Sequence, residues 1–152
     1  MLSNQQFGEL AGELRDKGGF SVNIHTGERP TSGVMVSDLR GERSQPLART
    51  SGADIQSFAE ENKGKRLRGP NRYLGGWADT EQKPSMAYID RSTRYPNTPH
   101  GRARGYVRMV ANFQKSAYDV GKGSLIPNPA LPQDQPRNLE RSMRRMQGQN
   151  VP

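Results

Sequence analysis

Apolar residues near the start of the chain recur at helical spacing. Phe7, Leu10 and Leu14 fall on one face of a helix. Ser3 with Gln6 three positions later has capping-box spacing, Leu2 and Phe7 sit where a hydrophobic staple would, and Gly18-Gly19 ends the segment. From Phe20 the period changes to two: Phe20, Val22 and Ile24 alternate with Ser21 and Asn23. After a turn-rich stretch, Val34, Met35 and Val36 lead to Leu39 and Leu47, which predicts a second strand and a hairpin with a wide connection. Ser51 and Asp54 open a second helix, with Ile55, Phe58, Ala59 and Asn62 on one face. Tyr73 to Trp77 and Met86 to Asp90 predict two strands joined by a polar turn, with Trp77 expected as the main core anchor and, as the alternative, a ligand platform formed by its indole beside Gly75-Gly76.

Thr98-Pro99 starts a third helix, whose predicted buried stripe is Ala103, Val107, Val110 and Phe113. Gly101 and Gly105 weaken that helix by roughly 1 kcal/mol each relative to Ala, unless packing needs them. Ala117 to Val120 predicts a last strand. Pro127, Pro129, Pro132 and Pro136 then mark an extended linker, followed by a short helix with Leu139, Met143 and Met146 on one face. The order predicts an α+β fold: a mixed or antiparallel sheet of about five strands with helices packed on it, plus a Pro-rich C-terminal arm. The divisions expected are a helix at 1–17, a domain at 18–120 and an arm at 121–152.

Composition narrows the chemistry. With 152 residues and 31% of them hydrophobic, the chain supports one small core. The absence of Cys excludes disulfides, thiolate metal sites and a cysteine nucleophile. With only His25 and His100, a multi-histidine metal cage is also excluded, and no cofactor is expected. No apolar run is long enough to span a bilayer, and the first residues lack the pattern of a signal peptide. The expectation is a soluble, intracellularly made protein.

The charge balance is 23 Lys and Arg against 15 Asp and Glu, a formal net charge of +8. Its clusters are Lys63, Lys65, Arg66, Arg68 and Arg72, and the acid-free set from Arg91 and Arg94 through Arg102, Arg104 and Arg108 to Lys115. Tyr95 and Tyr106 lie among the latter. Basic residues interleaved with aromatics suit a phosphate backbone or an acidic protein surface, with a solvated face as the plain alternative. Arginine dominates the second cluster, which suits bidentate contacts at interfaces. The C-terminal helix adds Arg137, Arg141, Arg144 and Arg145.

Three separated blocks carry a resemblance: Gly18-Gly19-Phe20-Ser21-Val22-Asn23 with Thr26-Gly27, Pro30 and Thr31-Ser32-Gly33; Tyr73-Leu74-Gly75-Gly76-Trp77 with Tyr88-Ile89-Asp90-Arg91-Ser92; and Ala117-Tyr118-Asp119. Residues 18 to 120 thereby resemble a small α/β module encoded by bacteriophages, for which no activity is established. The chain departs from that module in having Arg91 where an apolar residue is usual, in its basic third helix, and in its tail. The resemblance implies a phage origin rather than a reaction.

Catalytic readings are weak. Asp79, Glu81 and Lys83 lie in a polar turn rather than projecting from a strand to hold a metal. Gly27 and Gly33 do not form a phosphate loop. Asp90 and Asp119 have no neighbouring His and are expected to pair with Arg91 or Arg94. The expected function is that of a non-enzymatic, virion-associated structural protein. It would bind other virion proteins, with homo-oligomerisation and weak DNA contact as further expectations and no membrane partner. The interface residues expected are Lys65, Arg66, Arg68, Arg102, Arg104, Arg108, Arg137, Arg141, Arg144 and Arg145, with Leu139, Met143 and Met146 as arm anchors. The alternatives are a nucleic-acid-binding accessory protein and, less favoured, a small nuclease or transferase using Asp90 or Asp119.

Overall fold

A computed structural model describes residues 1–132. The fold is α+β, as the alternation of periods predicts. Its helices are α1 (Asn4–Lys17), α2 (Gly52–Asn62) and α3 (Pro99–Ala111). Its strands are β1 (Gly19–Val22), β2 (Val34–Pro46), β3 (Arg72–Asp79), β4 (Met86–Tyr95), β5 (Ser116–Asp119) and β6 (Ser124–Pro127). The strand order is β1-β3-β4-β2-β5-β6. Contacts divide the chain into a first unit, 1–29 with 41–92, and a second unit, 30–40 with 93 onward.

The first unit is built on helix signals read directly from sequence. Ser3 accepts from the Gln6 amide at 3.1 Å, and the Gln6 side chain accepts from the Ser3 amide at 2.8 Å. Gly18 closes α1 at φ 86°, a left-handed cap. Ser51 and Asp54 repeat the reciprocal pattern at the start of α2. Phe7, Leu10, Leu14, Ile55 and Phe58 interlock as the core, joined by Phe20, Val22, Leu74 and Ile89 from the strands. The helix at 1–17 therefore packs into the same core as much of the 18–120 segment.

Within this unit β1 pairs antiparallel with β3, not with β2 as a hairpin. Phe20 lies opposite Gly76, and its ring occupies the space that a Cβ on Gly76 would need. The neighbouring Gly75 leaves room for the Asp90 carboxylate. This pairing places Leu74 and Ala78 on the core face, so Trp77, one residue out of phase, falls on the other. Trp77 is accordingly 38% exposed and leans on Tyr88 at 5.7 Å, rather than anchoring the core.

The second unit has a smaller core of Val34, Val36, Tyr95, Met109 and Ala117, with Val110 and Ile126 packed against it. β5 pairs antiparallel with β2 and with β6. Strand β6 and the residues just after it lie where an extended linker was expected. Asn128 is fully buried, donating its side-chain amide to the Gln114 carbonyl at 2.8 Å and its backbone amide to Lys115 at 2.9 Å. Leu131 is buried as well. Proline at 127 ends the strand without preventing it, because the edge position leaves no ladder donor to lose. Among the described residues no helix is long and apolar enough to cross a membrane.

Candidate interaction surface

Helix α3 organises the surface. Thr98 caps it by accepting from the Gly101 amide at 3.0 Å, and Pro99 takes the first helical position. Its buried residues are Gly101, Gly105 and Met109, each one turn from the next. A Cβ on Gly101 would collide with the Pro96 carbonyl, and one on Gly105 would crowd Val34 at 3.2 Å and Tyr95 at 3.3 Å. The two glycines thus let the helix backbone approach its neighbours closely, which is the packing need that offsets their poor helix propensity.

This reverses the predicted stripe. Ala103 and Val107 face solvent, Val107 at 63% exposure, while Val110 and Phe113 are only half-buried. The reason is geometric: a face of glycines leaves no side chains to register as hydrophobic, yet it seats more tightly than a valine face. Tyr106, at 43% exposure, flanks the outward stripe on one side. Arg104 and Arg108, one turn apart and both exposed, flank it on the other.

The arginines divide by their partners. Arg102 donates to Asp119 at 2.8 Å and to Asn97 at 3.2 Å, so it is held as an internal tie rather than offered to a ligand. The hydrogen bond from Arg102, supplemented by the Lys122 amide, holds the Asp119 carboxyl below the usual carboxylate range. Asp119 is buried, but its partner is Arg102 rather than the expected Arg91 or Arg94. Arg94 donates instead to Ser32, at 2.7 Å to its carbonyl and 3.0 Å to its hydroxyl. Arg104 lies over the Tyr95 ring at 5.7 Å, a cation–π contact that orients it while leaving its outer edge open. No carboxylate among the described residues pairs with Arg104 or Arg108.

In the first unit, Lys65, Arg66 and Arg68 are exposed in the turn after α2. Leu67 between them is buried and donates its amide to the Asn62 carbonyl at 3.0 Å, which pins the loop and turns its cations outward. Lys63, beside them, pairs with Glu60 at 2.9 Å. Asp90 is buried, with the Ser92 hydroxyl 3.3 Å away, and Arg91 is buried and donates to Asn62 at 3.4 Å. Asp79 accepts from the Glu81 amide at 3.0 Å and the Gln82 side chain at 2.8 Å, an ordinary turn arrangement. His100 is exposed in the first turn of α3. Among the described residues no group of three or more His, Cys, Asp or Glu could hold a metal. Arg137, Arg141, Arg144, Arg145, Leu139, Met143 and Met146 lie outside the described residues.

The exposed stripe of α3 had one signal in the sequence: two glycines spaced i, i+4 opposite an apolar face, which marks either face as the buried one. No family model, no curated protein and no solved structure matches the chain.

Proposed function

We propose that this protein is a non-enzymatic structural component of a phage particle, attached to neighbouring protein subunits through the outer face of α3 and through its C-terminal arm. The observation that carries the reading is the outward stripe of Ala103 and Val107 flanked by Tyr106, Arg104 and Arg108. An apolar strip with an aromatic on one side and arginines on the other has the composition of a protein interface centre and its rim. The phage setting rests on the sequence blocks that resemble the phage module. The arm brings Leu139, Met143 and Met146 as apolar anchors and Arg137, Arg141, Arg144 and Arg145 as charged ones.

Two variants test this: removal of residues 133–152, which leaves β6 and Asn128 in place, and the double charge reversal Arg104→Glu with Arg108→Glu. Each is expected to reduce incorporation into purified particles severalfold, measured by quantitative mass spectrometry against a major virion protein. Undiminished incorporation of both variants overturns the proposal.

A second reading has its own observation. The pinned loop at Leu67 presents Lys65, Arg66 and Arg68 together, a geometry suited to a phosphate backbone. It predicts duplex DNA binding that weakens steeply with salt and is lost when these three become Ala. A flat titration at low ionic strength removes it.

A further inference from the structure

The charge of the chain is divided between its units. The first unit carries twelve basic and eleven acidic side chains, and five of the basic ones belong to the single stretch from Lys63 to Arg72. Outside that stretch the first unit is acidic. The described part of the second unit carries seven basic side chains and only Asp38 and Asp119 as acids, and Asp119 is already tied to Arg102. The exposed face of α3 holds no carboxylate at all.

That distribution constrains what can cover α3. A symmetric dimer placing α3 against its own copy would offer Arg104 and Arg108 no carboxylate, and in the antiparallel arrangement would set them against each other. A second copy answers those charges only by offering a different, acidic surface, which makes the contact head-to-tail. One helix face of the first unit has the matching form. On α1 the exposed carboxylates of Glu9 and Asp16 lie on either side of Gly12, where a Cβ would meet nothing within 4 Å. Together with Glu13 they line a shallow open concavity of about 490 Å³. Its two cations are Lys17 and Arg29, and Arg29 is neutralised in place by both oxygens of Glu13, at 2.7 and 2.9 Å.

We propose that the protein self-associates head-to-tail: the Ala103–Val107 stripe of α3 in one copy packs over Gly12 of α1 in the next, with Arg104 and Arg108 meeting Glu9 and Asp16. Because the two surfaces differ, the contact propagates into a ring or a filament rather than ending at a dimer. The inference rests on the reading of α3 as an interface and names its occupant.

Sedimentation of the purified full-length chain tests it. The expected result is a mass that rises with concentration above 16.9 kDa at low ionic strength and returns to that value in high salt. Val107→Glu is expected to leave a monomer. So is Arg104→Glu with Arg108→Glu, and so, separately, is Glu9→Lys with Asp16→Lys, all with unchanged circular dichroism. Mixing the last two double variants is expected to restore association, since each supplies the charge the other lacks. A monomer at every concentration overturns the inference, as does association that the α3 variants leave intact or that mixing fails to restore. The two proposals fail separately. A monomeric chain whose α3 variants are excluded from particles refutes self-association and leaves the virion role standing. A chain that associates as predicted but is absent from purified particles does the reverse.

Discussion

In the first unit α1 and α2 turn their largest side chains inward, and Phe7, Leu14, Ile55 and Phe58 are fully enclosed. In the second unit α3 turns Gly101, Gly105 and Met109 inward and leaves Val107 and Tyr106 outside. One unit obtains its stability from buried apolar area. The other obtains helix docking from close backbone approach, and so has apolar side chains left over for its surface. The same division appears in charge, which is near balance in the first unit and strongly positive in the second. A helix that does not need Val107 for the core is able to use it for a partner.

Truncation in the larger core separates the two modes most sharply. Phe58→Ala is expected to cost about 3–5 kcal/mol, read as a lowered urea midpoint, because it leaves a cavity among residues that cannot collapse into it. A loss below 1 kcal/mol would show that the first unit is not held by enclosed aromatics. In the second unit the corresponding change is an addition. Gly105→Val is expected to cost about 1–3 kcal/mol by forcing α3 away from Val34 and Tyr95. Neutral or increased stability would show that the glycine face is not closely seated.

Acid distinguishes the units by their ion pairs. Asp119 has its carboxyl lowered by the hydrogen bond from Arg102, and Glu13 by the hydrogen bond from Arg29. A carboxyl lowered in the folded state contributes stability that is fully present above its unfolded value of about 4 and is lost as pH falls through the folded value. Wild-type urea midpoints are therefore expected to drop below about pH 4 more steeply than those of Asp119→Asn. Glu13→Gln is expected to remove a separate portion of the drop. Parallel pH profiles for wild type and Asp119→Asn would contradict the Arg102 tie. The smallest stability effect belongs to the surface stripe: Val107→Ser is expected to shift stability by less than about 0.5 kcal/mol. It should nonetheless abolish association, so a large stability loss would place Val107 in the core after all.

Local signals were legible to a degree that long-range ones were not. Ser3 with Gln6, Ser51 with Asp54, Thr98 with Pro99 and the Gly18 cap each mark a helix end that the structure realises, because a cap is satisfied within a few residues of itself. The pairing of β1 with β3 was not legible, since a wide loop after Ile24 is equally compatible with a hairpin. Strand β6 was masked by prolines that an edge position tolerates. The basic residues were legible as clusters, but the sequence ran Arg102 together with Arg104 and Arg108, and only the approach of Asp119 separates the tie from the exposed pair.

By itself the sequence determined the helix ends, the alternation of periods, the α+β class and the excess of positive charge, all of which depend on neighbours close along the chain. Tertiary structure alone decided which face of α3 is buried, where Trp77 points and which arginine meets a carboxylate. Periodicity supplies the phase of an amphipathic helix but not its sign when the opposite face is glycine. A residue without a side chain adds nothing to a hydrophobic count, yet it permits the closest contact a helix can make.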